Sequence, residues 1–307
     1  MRLRLIGAED LRRALPMDAA IDALERAFGG ALPHAPLRSH AETSAGALLL
    51  MPAAGAEGVG VKLVTLTPSN PDRGLPLIHA LYALFDAATQ APLAILDGAA
   101  LTALRTGAVS GLATRHLARP DAARLVVFGA GVQARAHVEA MRAVRTLERV
   151  VVVSRTPERA EALAAEIRAS GLPAEVGAPE AVGEADLVCT CTTSPTPVFE
   201  GRLLAPGAHV NAVGAYTPQT RELDAETILR ARVVVETREV AMAEAGDLLI
   251  PMREGRIGAD HVVADLSEVV RGAVVRRSAE DVTVFESVGV AFEDLVVARA
   301  ALEGLGA

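Results

Sequence analysis

Lys62 is the only lysine in a chain of 307 residues whose lysines and arginines together number 30. It stands in the run GVGVKLVTLTPSN, residues 58–70, beside Val59, Val61, Leu63 and Val64. An arginine cannot release its proton, whereas an ammonium drawn out of water can exchange one near neutral pH. A lone ammonium among apolar neighbours therefore reads in two ways. It is a proton-handling group, or it is a strand residue whose stem snorkels to water.

A second group is Gly129-Ala130-Gly131-Val132-Gln133-Ala134, which fits G-x-G-x-x-A. The apolar run RLVVF precedes it, and Val138, Met141 and Val144 follow at helical spacing. In that setting the first glycine permits a tight turn and the second lets a pyrophosphate approach the backbone. The small third residue allows close helix–strand packing, and the helix N-terminus offers free N–H groups. The alternative is a tight turn that holds no ligand. At the end of the next strand, NAD binders usually carry an acid that accepts from the ribose 2′-hydroxyl. This chain has Ser154, Arg155 and Thr156 there, with Arg159 one turn on. Hydroxyls and guanidinium groups would hold a 2′-phosphate that a carboxylate would repel, so NADPH is expected, with NADH the weaker candidate. The alternative is that Arg155 and Arg159 simply face solvent.

Other chemistries find less support. The formal charge is −8 and the arginines are dispersed among acids, so no nucleic-acid face is visible. No apolar run reaches the roughly 18 residues of a membrane span, and the first 16 residues carry charges throughout, unlike a signal peptide. Cys189 and Cys191, the two cysteines, sit two apart in an apparent strand and read as structural. Their scarcity suggests a reducing, cytoplasmic setting. The histidines show no metal-ligand spacing, so no metal is expected.

The elements that must position these groups follow from local pattern. Residues 17–28 have helical periodicity. Stretches around 47–51, 59–67, 77–85 and 92–96 read as strands of an antiparallel or mixed sheet, and 97–118 as a helix. From Arg124 onward, strands and helices alternate, which predicts a parallel sheet covered on both faces. Thr156 and Pro157 open one of those helices and Gly171 stops it. The last segment reads as a strand turning into a helix that packs back on the first domain.

These pieces, in this order, resemble the ornithine cyclodeaminase/μ-crystallin family. The resemblance rests on LLLMPA (48–53), GVKLVTLTPSNP (60–71), LTALRTGAVSGLAT (101–114), VFGAGVQARAH (127–137), VNAVGAYTPQTREL (210–223) and FESVGVAFED (285–294). It implies an α/β chain in which a Rossmann-type parallel-sheet domain, 116–289, is inserted into an α+β domain, 1–115 plus 290–307. The latter would bind substrate and form a homodimer. Family enzymes act at a carbon next to a carboxylate, on an amine or its imine. By this resemblance Lys62 is the active-site lysine, Arg105 binds the substrate carboxylate, and Arg38 is a second carboxylate-binding arginine. Their alternatives are a snorkelling strand lysine and ordinary surface or interface arginines. Thr106 would meet the cofactor; Thr192 and Val213 would line its adenine-ribose or nicotinamide side. Ser287 and Gly289 would approach the nicotinamide. Tyr216 would form pocket wall, donate a phenolic hydrogen bond, or only pack. Asp294 is read as a cap or an ion pair, and His40 and His79 as candidates for ligand contact.

The sequence departs from the cyclodeaminase pattern twice. The family's cyclodeaminases and alanine dehydrogenases carry an aspartate near Ala215-Tyr216-Thr217, and the cyclodeaminases a glutamate at the position of Leu49. Oxidising an amine needs a base to remove its proton; reducing a cyclic imine does not. The expected function is therefore NADPH-dependent reduction of Δ1-pyrroline-2-carboxylate or Δ1-piperideine-2-carboxylate to L-proline or L-pipecolate. The alternatives are an ornithine cyclodeaminase or alanine dehydrogenase-type enzyme working through a displaced carboxylate such as Glu222, and a non-catalytic NADPH-dependent binding protein.

Overall fold

The computed structural model describes residues 3–306 and contains two compact units. The flanking unit comprises Met1–Ala108 and Val290–Ala307; the inserted unit comprises Val109–Gly289. The chain begins with β1 (Arg4–Ile6), α1 (Ala8–Ala14) and α2 (Met17–Gly29). Strands β2 (Ser39–Thr43), β3 (Gly46–Gly55), β4 (Gly58–Leu66), β5 (Ile78–Phe85) and β6 (Pro92–Asp97) follow, then α3 (Gly98–Leu117). The sheet runs β1-β6-β5-β4-β3-β2 and is mixed: β1 pairs with β6 in parallel, and the rest are antiparallel.

In β4 the side-chain alternation is strict. Gly58, Gly60, Lys62 and Val64 are buried, whereas Val59 and Val61 are half-buried and Leu63 and Thr65 are exposed. The apolar neighbours that flank Lys62 in sequence thus lie on the opposite face from it. Met51 and Tyr82 are its partners across the sheet.

The inserted unit holds β7 (Arg124–Phe128), α4 (Val132–Val144), β8 (Arg149–Val153), α5 (Pro157–Ala169), β9 (Ala174–Val176), β10 (Leu187–Thr190) and β11 (His209–Ala212). It continues with α6 (Ala225–Arg230), β12 (Ala231–Val235), α7 (Arg238–Glu244), α8 (Gly246–Arg253), β13 (Val262–Asp265), α9 (Leu266–Val270) and β14 (Val282–Glu286). Its eight strands are all parallel, in the order β13-β12-β14-β11-β10-β7-β8-β9. The order reverses between β7 and β10, where a ligand crevice is expected outside the carboxyl ends of the strands.

The chain then returns to the flanking unit as α10 (Ala291–Gly304). This helix is buried almost all round and packs on β3, β4, β5 and α2, with the Phe28 and Phe292 rings edge-on at 5.1 Å. Its first two turns, Ala291–Ala298, have no solvated face, so an acid there must find a cation.

Candidate active site

In the flanking unit, Lys62 is 2% exposed, and its Nζ lies 3.0 and 2.8 Å from the two carboxylate oxygens of Asp294. Arg105, on α3, donates from Nη1 to Glu293 Oε2 at 3.0 Å, and its Nε lies 3.5 Å from Asp294 Oδ1. Glu293 and Asp294 are both fully buried in the first turn of α10. Arg38, half-buried ahead of β2, is close enough for its charge to act on Lys62. Lys62 and Arg105 are therefore brought together through Asp294, and the charge of Arg38 reaches Lys62. Burial lowers the Lys62 ammonium from 10.5 to about 8; Asp294 opposes the fall, and Arg105 and Arg38 add to it.

Tyr82 lies beside Lys62 on β5 and is fully buried. Its hydroxyl occupies the space above Gly60, where a Cβ would come within 2.0 Å of it, so residue 60 has to be glycine. That hydroxyl has no hydrogen-bond partner among the described residues. Burial, then the Asp294 charge, pushes its pKa well above 10.0. Thr106 is buried on α3 with its hydroxyl likewise unpartnered. His40 and His79 are exposed.

The inserted unit offers a different surface. Gly129 turns the chain after β7 at φ +100, and a Cβ there would strike the Cys191 carbonyl at 2.4 Å. Gly131 is the N-cap of α4, has no side-chain cap and has nothing within 4 Å of where a Cβ would stand. Val132 is exposed and Gln133 half-buried at that helix start. Open space, an uncapped 13-residue helix and a strand-order reversal fit the pyrophosphate of a dinucleotide. After β8, Ser154 is half-buried and accepts from the Thr156 N–H at 3.2 Å. Arg155 and Arg159 are exposed, with no side-chain partner among the described residues.

Two buried carboxylates fasten the loops on this edge. Glu222 accepts from the Thr192 hydroxyl, from Thr192 N at 2.8 Å and from Gly214 N at 2.8 Å, tying the ends of β10 and β11. Each of its oxygens is engaged with the backbone, which argues against Glu222 as a displaced catalytic base. Glu236 accepts from Ser287 Oγ at 2.6 Å, Val288 N at 3.1 Å and Gly289 N at 2.9 Å. Ser287 is thus committed as a donor to Glu236. Val213 is half-buried just past β11, and Tyr216 is half-buried in the loop beyond it. Cys189 and Cys191 are free thiols, and burial pushes Cys189 up to about 12. Among the described residues no group of three or more His, Cys, Asp or Glu side chains could hold a metal, and no helix is long and apolar enough to cross a membrane.

Glu293, Tyr82 and Glu236 are absent from the sequence reading, and Asp294 enters it only as a cap or ion pair. A signal existed for the acids: GVAFEDLVVARAAL places two of them in an otherwise apolar helix.

Residues 5–305 match the profile of the Ornithine cyclodeaminase/mu-crystallin family. A Delta(1)-pyrroline-2-carboxylate reductase of Bacillus cereus is 45% identical over 258 residues, covering 82% of this chain and 79% of the relative. The structure of Thermococcus litoralis Delta(1)-pyrroline-2-carboxylate reductase in complex with NADH and L-proline superposes with a TM-score of 0.94 at 37% identity, covering 98% of this chain and 97% of that one. An archaeal alanine dehydrogenase dimer with bound NAD gives a TM-score of 0.93 at 33% identity, covering 99% and 96%.

Proposed function

The chain belongs to the ornithine cyclodeaminase/mu-crystallin family, and from that premise we propose that it reduces a cyclic 2-imino acid with NADPH. The substrate is Δ1-pyrroline-2-carboxylate or Δ1-piperideine-2-carboxylate, and the product L-proline or L-pipecolate. The observation that carries this reading is the pairing of Lys62 and Arg105 with Asp294 and Glu293, with the Arg38 charge also acting on Lys62. Arg105 and Arg38 grip the substrate carboxylate and orient the ring; Lys62 holds its proton toward the ring nitrogen.

When bound to the inserted unit, the reduced nicotinamide supplies the hydride to C2. As the C=N π electrons collect on nitrogen, Lys62 or a water it orders supplies the proton, and solvent restores it to Lys62. Burial of the site keeps water from the imine. Amine oxidation is disfavoured because Leu49 and Ala215-Tyr216-Thr217 offer no carboxylate and Glu222 is engaged elsewhere. NADPH is favoured over NADH by Arg155, just past β8, and Arg159, in the first turn of α5, which are exposed and have no side-chain partner among the described residues.

A second copy of the chain fits the open face of the flanking sheet. There Leu5 is 78%, Leu81 55% and Leu63 36% exposed, and Leu63 stands between Leu50 and Leu81 in register. An apolar surface of that kind marks an association site. Two free thiols suit a cytoplasmic enzyme.

The test is a panel of cyclic imines and linear amino acids with both cofactors, followed by nicotinamide absorbance. Oxidation of NADPH by a cyclic imino acid is expected. Ornithine consumption with ammonia release, and no imine turnover, would contradict the reading. Cofactor binding with no turnover of any substrate would make the chain a binding protein.

A further inference from the structure

Glu293 and Asp294 are adjacent, yet they divide their work: Glu293 pairs with Arg105, whereas Asp294 holds Lys62 at 3.0 and 2.8 Å and lies 3.5 Å from Arg105 Nε. Successive helix positions point about 100° apart. Asp294 thus faces Lys62 with both oxygens while Glu293 reaches Arg105 Nη1. Both acids are fully buried, and Lys62 and Arg105 are 2% and 6% exposed. An ammonium has three N–H groups. Two carboxylate oxygens engage two of them at most, so one stays available to a substrate atom.

Resting on the reading that Lys62 is the ammonium of the substrate site, the geometry points to Asp294 as a positioning residue. It aims Lys62 and keeps it charged, while Glu293 aims Arg105. Among the described residues, the other groups packed around Lys62 work against its charge or leave it unsupported. Arg105 from α3 and Arg38 from the segment before β2 are like charges. Tyr82 from β5 presents a neutral hydroxyl, Met51 from β3 is apolar, and burial itself favours the neutral amine. Glu293 is occupied by Arg105. The Asp294 carboxylate is the group that opposes them, through its charge and its hydrogen bond. Without it, a buried amine beside two guanidinium groups releases its proton at a lower pH. The site then has no proton to lend the ring nitrogen.

The single lysine makes this directly measurable. Protein labelled with 15N-lysine gives one side-chain signal, so the protonation of Lys62 can be followed without any turnover. In the wild type we expect a protected ammonium cross-peak at neutral pH and a midpoint near 8. Asp294→Asn should lower the midpoint by about one pH unit or more, a tenfold loss of proton affinity, and Asp294→Glu should return it to within about half a unit. The alkaline limb of kcat/KM with Δ1-pyrroline-2-carboxylate should move by the same amount, with the NADPH dissociation constant unchanged within about twofold. An Asp294→Asn midpoint equal to the wild type's would overturn the assignment. So would a wild-type lysine that titrates like a free side chain, a result that needs no variant to fold. Imine turnover is a separate readout: an Asp294-dependent titration in a protein that reduces no cyclic imine supports the assignment and sinks the reaction.

Discussion

In the flanking unit, charge is carried by side chains sunk in a core: Lys62, Arg105, Glu293 and Asp294 are all nearly or wholly inaccessible to solvent. In the inserted unit, the candidate ligand surface is backbone: a glycine turn, an uncapped helix start, and loops fastened by Glu222 and Glu236. The first arrangement is expensive. A buried ion pair is only as good as its geometry, and removing one member leaves a charge unpaired at about 3–5 kcal/mol. The second draws on partial charges that every helix has and needs only space. A site that must hold a proton and select a carboxylate requires ionisable side chains, and a site that must accept a pyrophosphate does not.

Breaking the side-chain half should have the largest effect. Lys62→Ala is expected to cut kcat/KM for a cyclic imine by about 10² to 10⁴-fold, the usual scale for general acid–base groups, with cofactor affinity retained. Steady-state kinetics beside fluorescence titration of NADPH checks both. Arg105→Lys keeps the charge and loses the planar fork. It should raise KM about 10 to 100-fold, matching about 1.5–3 kcal/mol for charged hydrogen bonds, with a smaller change in kcat.

The backbone half is sharpened by two glycines. Gly129→Ala places a Cβ 2.4 Å from the Cys191 carbonyl at φ +100, so it should destabilise the protein by about 1–3 kcal/mol, read as a fall in Tm. Gly131→Ala meets nothing within 4 Å and should leave Tm unchanged while weakening the dinucleotide by about tenfold, since its methyl fills the approach to the backbone. Equal losses of stability in both variants would erase the distinction. Arg155→Asp should reduce the preference for NADPH over NADH by about tenfold, and a wild type that prefers NADH contradicts the cofactor reading.

The smallest effect is the dependence on pH. Lys62 must be protonated to act, and its folded pKa is near 8. The kcat/KM profile should therefore be flat below that value and fall about tenfold per unit above it. The sign for stability is opposite. The unfolded lysine keeps its proton to about pH 10.5, so between 8 and 10.5 the folded state binds fewer protons, and this residue favours folding more as pH rises.

Much of the fold was legible because its signals are local. α2, β3 to β6, α3 and the β7–α4–β8–α5 run follow from periodicity, and Thr156, Pro157 and Gly171 bracket α5 as expected. β1 was not legible: three residues form a strand only because they pair with β6, some ninety positions away. The domain border was expected at 115, whereas the compact units divide at Ala108, inside a continuous helix that no local signal interrupts.

The site divides the same way. Lys62 announced itself by residue type and the glycine turn by spacing. Asp294 lies 232 positions from Lys62, and Glu293 lies 188 from Arg105. Only the packing of α10 on the sheet makes these partners neighbours. Glu236 reaches the Ser287 turn across 51 positions by the same route, the pairing of β12 with β14.

The central claim is that Arg105 and Lys62 seat an α-carboxylate. A crystal structure of the protein with L-proline and oxidised NADP tests it most directly. The account predicts a proline carboxylate oxygen within hydrogen-bonding distance of an Arg105 guanidinium nitrogen, and Lys62 Nζ within reach of the ligand while still bound to Asp294. Proline held elsewhere, with Lys62 and Arg105 touching only Asp294 and Glu293, would contradict it.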